Sequence, residues 1–160
     1  MKKYIFLISA AILLFCAKGK AQPQLYYTAI GLNAAYNYGI TLKHYLNHKN
    51  MIEGIVNFNY GAGTTLLYEF NNRHPFNVDE LDWYYGIGGH VKALNGRRSN
   101  VFYNDRLKHL YVGLDAVLGL EYTLKETPLN LGINVKPELN FITNNMFWID
   151  GGITIRYVLK

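Results

Sequence analysis

The sequence predicts an all-β chain: an eight-stranded antiparallel up-and-down transmembrane β-barrel behind an N-terminal signal peptide. Three observations lead there. From Tyr26 onward, apolar residues recur at alternate positions over long stretches, the period of a strand with two unlike faces. The polar face of those stretches is made of Gly, Asn, Ala and Thr with isolated charges of both signs, rather than the Lys and Glu that coat a solvated sheet. The stretches are even in number, and no helix-length amphipathic segment lies between them.

Residues 1–21 stand apart. Lys2 and Lys3 form a short basic start, Tyr4 to Ala17 an apolar run, and Gly19 and Ala21 place small residues before a cut ahead of Gln22. The run is shorter than the roughly 20 residues of a spanning helix, so a retained anchor is the weaker reading. Cys16, the only cysteine, falls here; Leu13-Leu14-Phe15-Cys16 loosely matches a lipidation box, with bulky Phe15 where a small residue belongs. Residues 22–160 then form one domain with no cysteine. Lys2, Lys3, Lys18 and Lys20 leave with the leader, so sixteen basic residues become twelve against eleven acidic ones, a net +1. The basic pI thus belongs mainly to a targeting segment, and nucleic acid is set aside as a partner.

Eight stretches follow: 26–36, 39–46, 51–60, 64–71, 82–94, 109–124, 129–142 and 146–158. Turn-forming residues separate them, among them Asn47-His48-Lys49-Asn50, Gly61-Ala62-Gly63, Lys125-Glu126-Thr127-Pro128 and Thr143-Asn144-Asn145. The sixth is the clearest. Leu110, Val112, Leu114, Ala116, Leu118, Leu120, Tyr122 and Leu124 share one face, with Gly113, Asp115, Gly119 and Glu121 on the other. The seventh repeats it, Leu131, Ile133, Val135, Leu139 and Phe141 opposing Asn130, Gly132, Lys136 and Glu138.

Most stretches are nine residues or longer, near the roughly 9–11 that cross a bilayer as a tilted strand. Lipid leaves no backbone donor unpaired, so such a sheet has to close, and an even count returns both ends to one side. The apolar face then points to lipid and the polar face inward. Tyr26, Tyr27, Tyr36, Tyr45, Trp83, Tyr85, Tyr122, Phe147 and Tyr157 lie near strand ends, where interfacial girdles form. A periplasmic start places connections 37–38, 61–63, 95–108 and 143–145 outside and 47–50, 72–81 and 125–128 inside. The 72–81 connection is longer than such inner turns usually are.

The segments Trp83-Tyr84-Tyr85-Gly86-Ile87-Gly88-Gly89-His90, Gly113 to Tyr122 and Gly151-Gly152-Ile153-Thr154-Ile155-Arg156-Tyr157 resemble the small eight-stranded outer-membrane β-barrel superfamily, which includes the transmembrane domain of outer-membrane protein A. The resemblance spans about residues 26–160 and implies a fold and a bacterial outer-membrane location, not an activity. It departs at the end, where Tyr157 is followed by Val158, Leu159 and Lys160 instead of closing on an aromatic.

Candidate site residues fall into two groups. Lys43, Glu53, Glu69, His90, Lys92, Asp115, Glu121, Lys136, Glu138 and Arg156 share the inward face and are expected to form an interior charge network, since paired charges offset a desolvation that an isolated ion could not. Arg97, Arg98, Phe102, Tyr103, Arg106 and Lys108 in the 95–108 loop are expected to form a surface-binding element whose cations could engage lipopolysaccharide phosphates.

No catalytic, cofactor or metal site is expected. Besides Ser9 there is only Ser99, without a histidine or carboxylate at a nucleophile's spacing, and His44, His48, His74, His90 and His109 are scattered without metal-ligand spacing. Eight strands enclose room only for their own side chains, which disfavours a pore. The reading is therefore a monomeric, non-enzymatic outer-membrane barrel in contact with membrane lipid. Two alternatives remain: a small lipid-modifying enzyme using interior carboxylates and His90, and a soluble periplasmic carrier, whose Leu and Ile face would have to turn inward.

Overall fold

The computed structural model describes residues 27–35, 38–58, 61–73, 75, 78–94, 109–141 and 146–159. Residues 1–26, with the expected signal peptide and Cys16, as well as Ser99, His74 and the whole 95–108 loop, lie outside the described residues. Eight strands follow one another: β1 (Thr28–Ala35), β2 (Gly39–Tyr45), β3 (Asn50–Asn57), β4 (Gly61–Arg73), β5 (Leu81–Leu94), β6 (His109–Thr123), β7 (Leu129–Asn140) and β8 (Phe147–Leu159). Each pairs antiparallel with its sequence neighbour, and β8 pairs with β1, so the sheet is a closed up-and-down barrel with no free edge.

The strands are staggered as closure requires. Ala29 lies opposite Lys43, Lys43 opposite Glu53, Glu53 opposite Leu67, Leu67 opposite Gly88, Gly88 opposite Asp115, Asp115 opposite Glu138 and Glu138 opposite Trp148. Carried on through the β8–β1 register, this level returns about ten residues beyond its start, the stagger of strongly tilted strands. The end at which β1 starts and β8 stops is called the entry end below. Up-and-down order places connections 46–49, 74–80 and 124–128 there and the remaining four at the far end.

Alternation is strict. Along β2, Gly39, Thr41, Lys43 and Tyr45 are buried while Ile40, Leu42 and His44 are exposed. Along β6, Gly113, Asp115, Val117, Gly119 and Glu121 are buried while Leu114, Leu118 and Leu120 face out. The outer wall is predominantly apolar, with Ile87 67% and Leu66 61% exposed and His44 among its few polar members, and the inner wall holds the buried charge. The Leu and Ile face is thus turned outward, the reverse of what a water-soluble carrier needs. An apolar wall this continuous far exceeds the few hundred Å² that a soluble monomer exposes in one patch.

Space inside is shared by a large-against-small rule. Tyr84 lies opposite Gly119, His90 opposite Gly113, Lys92 opposite Gly63, Glu69 opposite Gly86, Glu121 opposite Gly132 and Arg156 opposite Gly31. A Cβ on Gly63 would stand 2.8 Å from Lys92 Cγ, and one on Gly113 would stand 2.8 Å from His90 Cε1. Each bulky interior side chain therefore lies across a neighbouring strand that has nothing to obstruct it.

Two boundaries and the orientation of one residue differ from the sequence expectation. Gly61-Ala62-Gly63, expected as a turn, opens β4, because Gly63 has to sit in the ladder opposite Lys92. β4 also runs on to Arg73, which pairs with Asp82, so the inner connection expected at 72–81 shortens to 74–80. Tyr45, expected in an outer girdle, is buried inside, on the same face as Lys43.

Candidate functional site

Because the strands alternate, every odd-numbered residue of β2 and β3 from Lys43 to Glu53 that carries a charge is aimed at the axis, and even small offsets in register decide which charges meet. Lys43 and Glu53 face each other directly across β2 and β3, with Nζ 3.5 Å from Oε2. Lys43 Nζ also lies 2.8 Å from Glu69 of β4 and 3.3 Å from Glu121 of β6, on the opposite side of the barrel. Arg156 of β8 reaches across from the other direction: Nη2 donates to Glu53 Oε1 at 2.5 Å, and Nη1 lies 3.6 Å from Glu121 and donates to Asn130 Oδ1 at 3.2 Å.

Hydroxyl and ring partners complete this entry-end cluster. Thr41 Oγ1 donates to Glu53, and Tyr45 Oη donates to Glu121 Oε1 at 3.2 Å while accepting from Asn71 Nδ2 at 2.7 Å. The Lys43 ammonium stands 3.6 Å from the centre of the Tyr84 ring, a cation–π contact in a desolvated setting. Lys43, Glu53, Glu69, Glu121 and Arg156 are all almost fully buried. Since their strands lie around the wall, the cluster links opposite sides of the barrel.

The second cluster lies toward the far end, on β5, β6 and β7. His90 Nδ1 is 2.8 Å from Asp115 Oδ1, and its Nε2 is 2.9 Å from Asn140 Oδ1. Lys92 Nζ donates to both oxygens of Glu138, at 2.7 and 2.6 Å, and Lys136 Nζ lies 3.3 Å from the same carboxylate. Asp150, buried on β8, is the register partner of Lys136. All ten interior residues singled out in the sequence are therefore buried, five in each cluster. The six loop residues, Arg97, Arg98, Phe102, Tyr103, Arg106 and Lys108, lie outside the described residues.

Several members escaped the sequence reading. Tyr45, Tyr84, Asn71, Asn130 and Asn140 all take part in the clusters without having been singled out as site residues, and their position on the inward face was the signal available for them. Two of them are aromatic, a residue type that sequence alone assigns more readily to an outer girdle.

His90, Asp115 and Glu138 bring potential metal-ligating atoms within 4.8 Å of one another. The Lys92 ammonium, however, already holds both Glu138 oxygens and so competes with a metal for that carboxylate. The same trio has the base and orienting carboxylate of an acid–base site, yet the second nitrogen of His90 is engaged by Asn140, and the described residues contain no serine or cysteine to act as nucleophile. The His90–Asp115 and Lys92–Glu138 pairs each set a basic group against a buried carboxylate, which offsets part of the cost of burying them.

The chain shares this architecture with a solved bacterial barrel. The N-terminal β-barrel domain of Pseudomonas aeruginosa OprF superposes with a TM-score of 0.57 at 12% identity, covering 84% of this chain and 100% of that domain. At that identity the likeness concerns the fold. No family model matches the sequence, and no curated protein matches it significantly.

Proposed function

We propose that the protein is a non-enzymatic bacterial outer-membrane β-barrel with a structural or surface-interaction role. The observation that carries this reading is the inversion of the barrel: a continuous apolar wall outside and paired charges within. Only a hydrocarbon surround makes that arrangement favourable, and a closed sheet is the form of β-structure that leaves no polar edge in lipid. The structural likeness to an outer-membrane barrel domain supports the same location. Among the described residues no helix is long and apolar enough to cross a membrane.

A non-enzymatic role is supported by chemistry: most of the described interior ionisable groups are paired with one another across the barrel. On this reading the 95–108 loop, at the far end, faces the cell exterior, and its basic residues are proposed to contact lipopolysaccharide phosphates.

The test is the electrophoretic mobility of the protein from a fractionated outer membrane, with and without boiling. A heat-dependent shift in that fraction is expected. Recovery as a soluble periplasmic protein without a shift would overturn the location. For the loop, replacing Arg97, Arg98, Arg106 and Lys108 together is expected to lower lipopolysaccharide retention; unchanged retention would sink that part.

A further inference from the structure

The outer wall is not uniform. Across β5, β6 and β7 it is indented by an apolar groove of about 590 Å³, walled by Trp83, Leu118, Leu120, Ile133 and Val135 and overhung by Pro75 of the 74–80 connection. The ladder explains its position. Trp83 pairs with Leu120 and Leu120 with Ile133, while Leu118 pairs with Val135, so the outward side chains of two successive levels border a floor of sheet backbone at Gly119 and Asn134. Gly119 and Asn134 send their side chains inward or have none, and nothing from the floor fills the space.

We propose that this groove is a binding site for one acyl chain of a membrane phospholipid. The inference rests on the membrane placement proposed above and adds a specific lipid site to it. Three features fit that occupant. The groove is continuous with the apolar wall, so it opens onto hydrocarbon, and its lining is almost entirely carbon. A chain of methylenes brings no backbone donor or acceptor that the lining would leave unpaired, as a peptide segment would. Its volume is in the range of sites that enclose one small molecule.

The groove is also oriented. Trp83 and Pro75 lie at the entry end and Leu118 and Val135 deeper along the strands, and tryptophan is favoured at headgroup level. Trp83 continues into an aromatic row on the same wall, 5.6 Å between ring centres from Tyr85, which stacks on Phe70 at 5.4 Å. The chain therefore enters beside Trp83 with its headgroup at the entry-end rim. The entry end of these strands carries exposed Arg73 and Lys125, the latter ion-paired to Glu80, together with exposed Asp79 and Glu126, a mixture of signs, so the site selects by chain and not by headgroup charge.

The protein has two tryptophans, and Trp148 lies at the other end of the barrel, so a Trp148→Phe chain reports from Trp83 alone. The full chain is refolded into phosphatidylcholine vesicles containing increasing fractions of phosphatidylcholine brominated on its acyl chains, and emission is followed. A saturating, single-site quenching curve is expected. Ile133→Phe, which fills the groove, should require on the order of tenfold more brominated lipid or abolish saturation, through loss of a few methylene contacts. Ile87→Phe, elsewhere on the wall, should leave the curve unchanged.

Quenching that rises in simple proportion to brominated lipid, alike in the parent and in Ile133→Phe, would overturn the groove site and leave the membrane placement standing. No quenching in a chain that still shows the heat-dependent gel shift would overturn both for this face. If chemical cross-linking then gave a dimer, the groove would be an interface between copies instead.

Discussion

Glu53 of β3 and Arg156 of β8, 103 positions apart in the chain, meet inside the barrel with Arg156 Nη2 donating to Glu53 Oε1 at 2.5 Å. Neither residue has solvent to fall back on. Both are buried, and Glu53 is shared with Lys43 and Thr41 while Arg156 is shared with Glu121 and Asn130.

Removing one member of such a pair leaves its partner uncompensated in a dry interior, at a cost of about 3–5 kcal/mol. Arg156→Met is expected to lower the urea midpoint of the vesicle-embedded barrel by that order. Arg156→Met combined with Glu53→Met should cost less than the two single changes added together, measured as a double-mutant cycle. Strict additivity would show that the pair is not coupled.

The far-end cluster makes a different prediction. Lys92 holds both oxygens of Glu138, whose carboxylate lies within 4.8 Å of ligand atoms on Asp115 and His90. Lys92→Ala is expected to expose those ligands to one another and to confer uptake of Zn²⁺ or Co²⁺, seen as a metal-dependent rise in thermal stability or as a cobalt absorption band. His90→Ala in the same background should abolish it. A Lys92→Ala barrel indifferent to both metals would refute the assignment of Lys92 as the built-in cation.

The pairing of large with small side chains can be tested at Gly119, whose Cβ would run into the Tyr84 ring. Gly119→Ala is expected to destabilise by about 1–3 kcal/mol through overpacking, and Tyr84→Leu added to it should recover part of the loss. No recovery would mean that the constraint at Gly119 is backbone geometry and not volume.

The outer wall predicts a dependence on depth. Ile87 is near the middle of β5 and 67% exposed, whereas Tyr122 is near the entry end of β6. Ile87→Arg should cost about 2–4 kcal/mol in a bilayer and Tyr122→Arg about 0–1 kcal/mol, by equilibrium unfolding from vesicles. Equal costs would mean that the two positions do not differ in hydrocarbon depth.

The faces of the strands were legible because alternation has only two outcomes, and Leu110 to Tyr122 or Asn130 to Glu138 state theirs without ambiguity. Strand ends were less so. Gly61 and Gly63 were expected as a turn because glycine usually marks one, whereas in a narrow barrel it also marks the place where a neighbour such as Lys92 needs room. Tyr45 was expected at the membrane interface on residue type, although its spacing from Lys43 already put it inside. Which charges would pair was not legible, since Glu53 with Arg156 and Lys43 with Glu121 depend on the stagger of all eight strands, a property no local segment carries.

The β1–β8 seam has a consequence for folding. The strand that closes the barrel supplies the hydrogen bonds of the first, and it also delivers Arg156 to Glu53, Asn130 and Glu121. Until β8 is in place, the sheet holds two raw edges and a set of glutamates without one of their main counter-ions. Both deficits end in the same event, so closing the sheet and neutralising its interior are one step and not two.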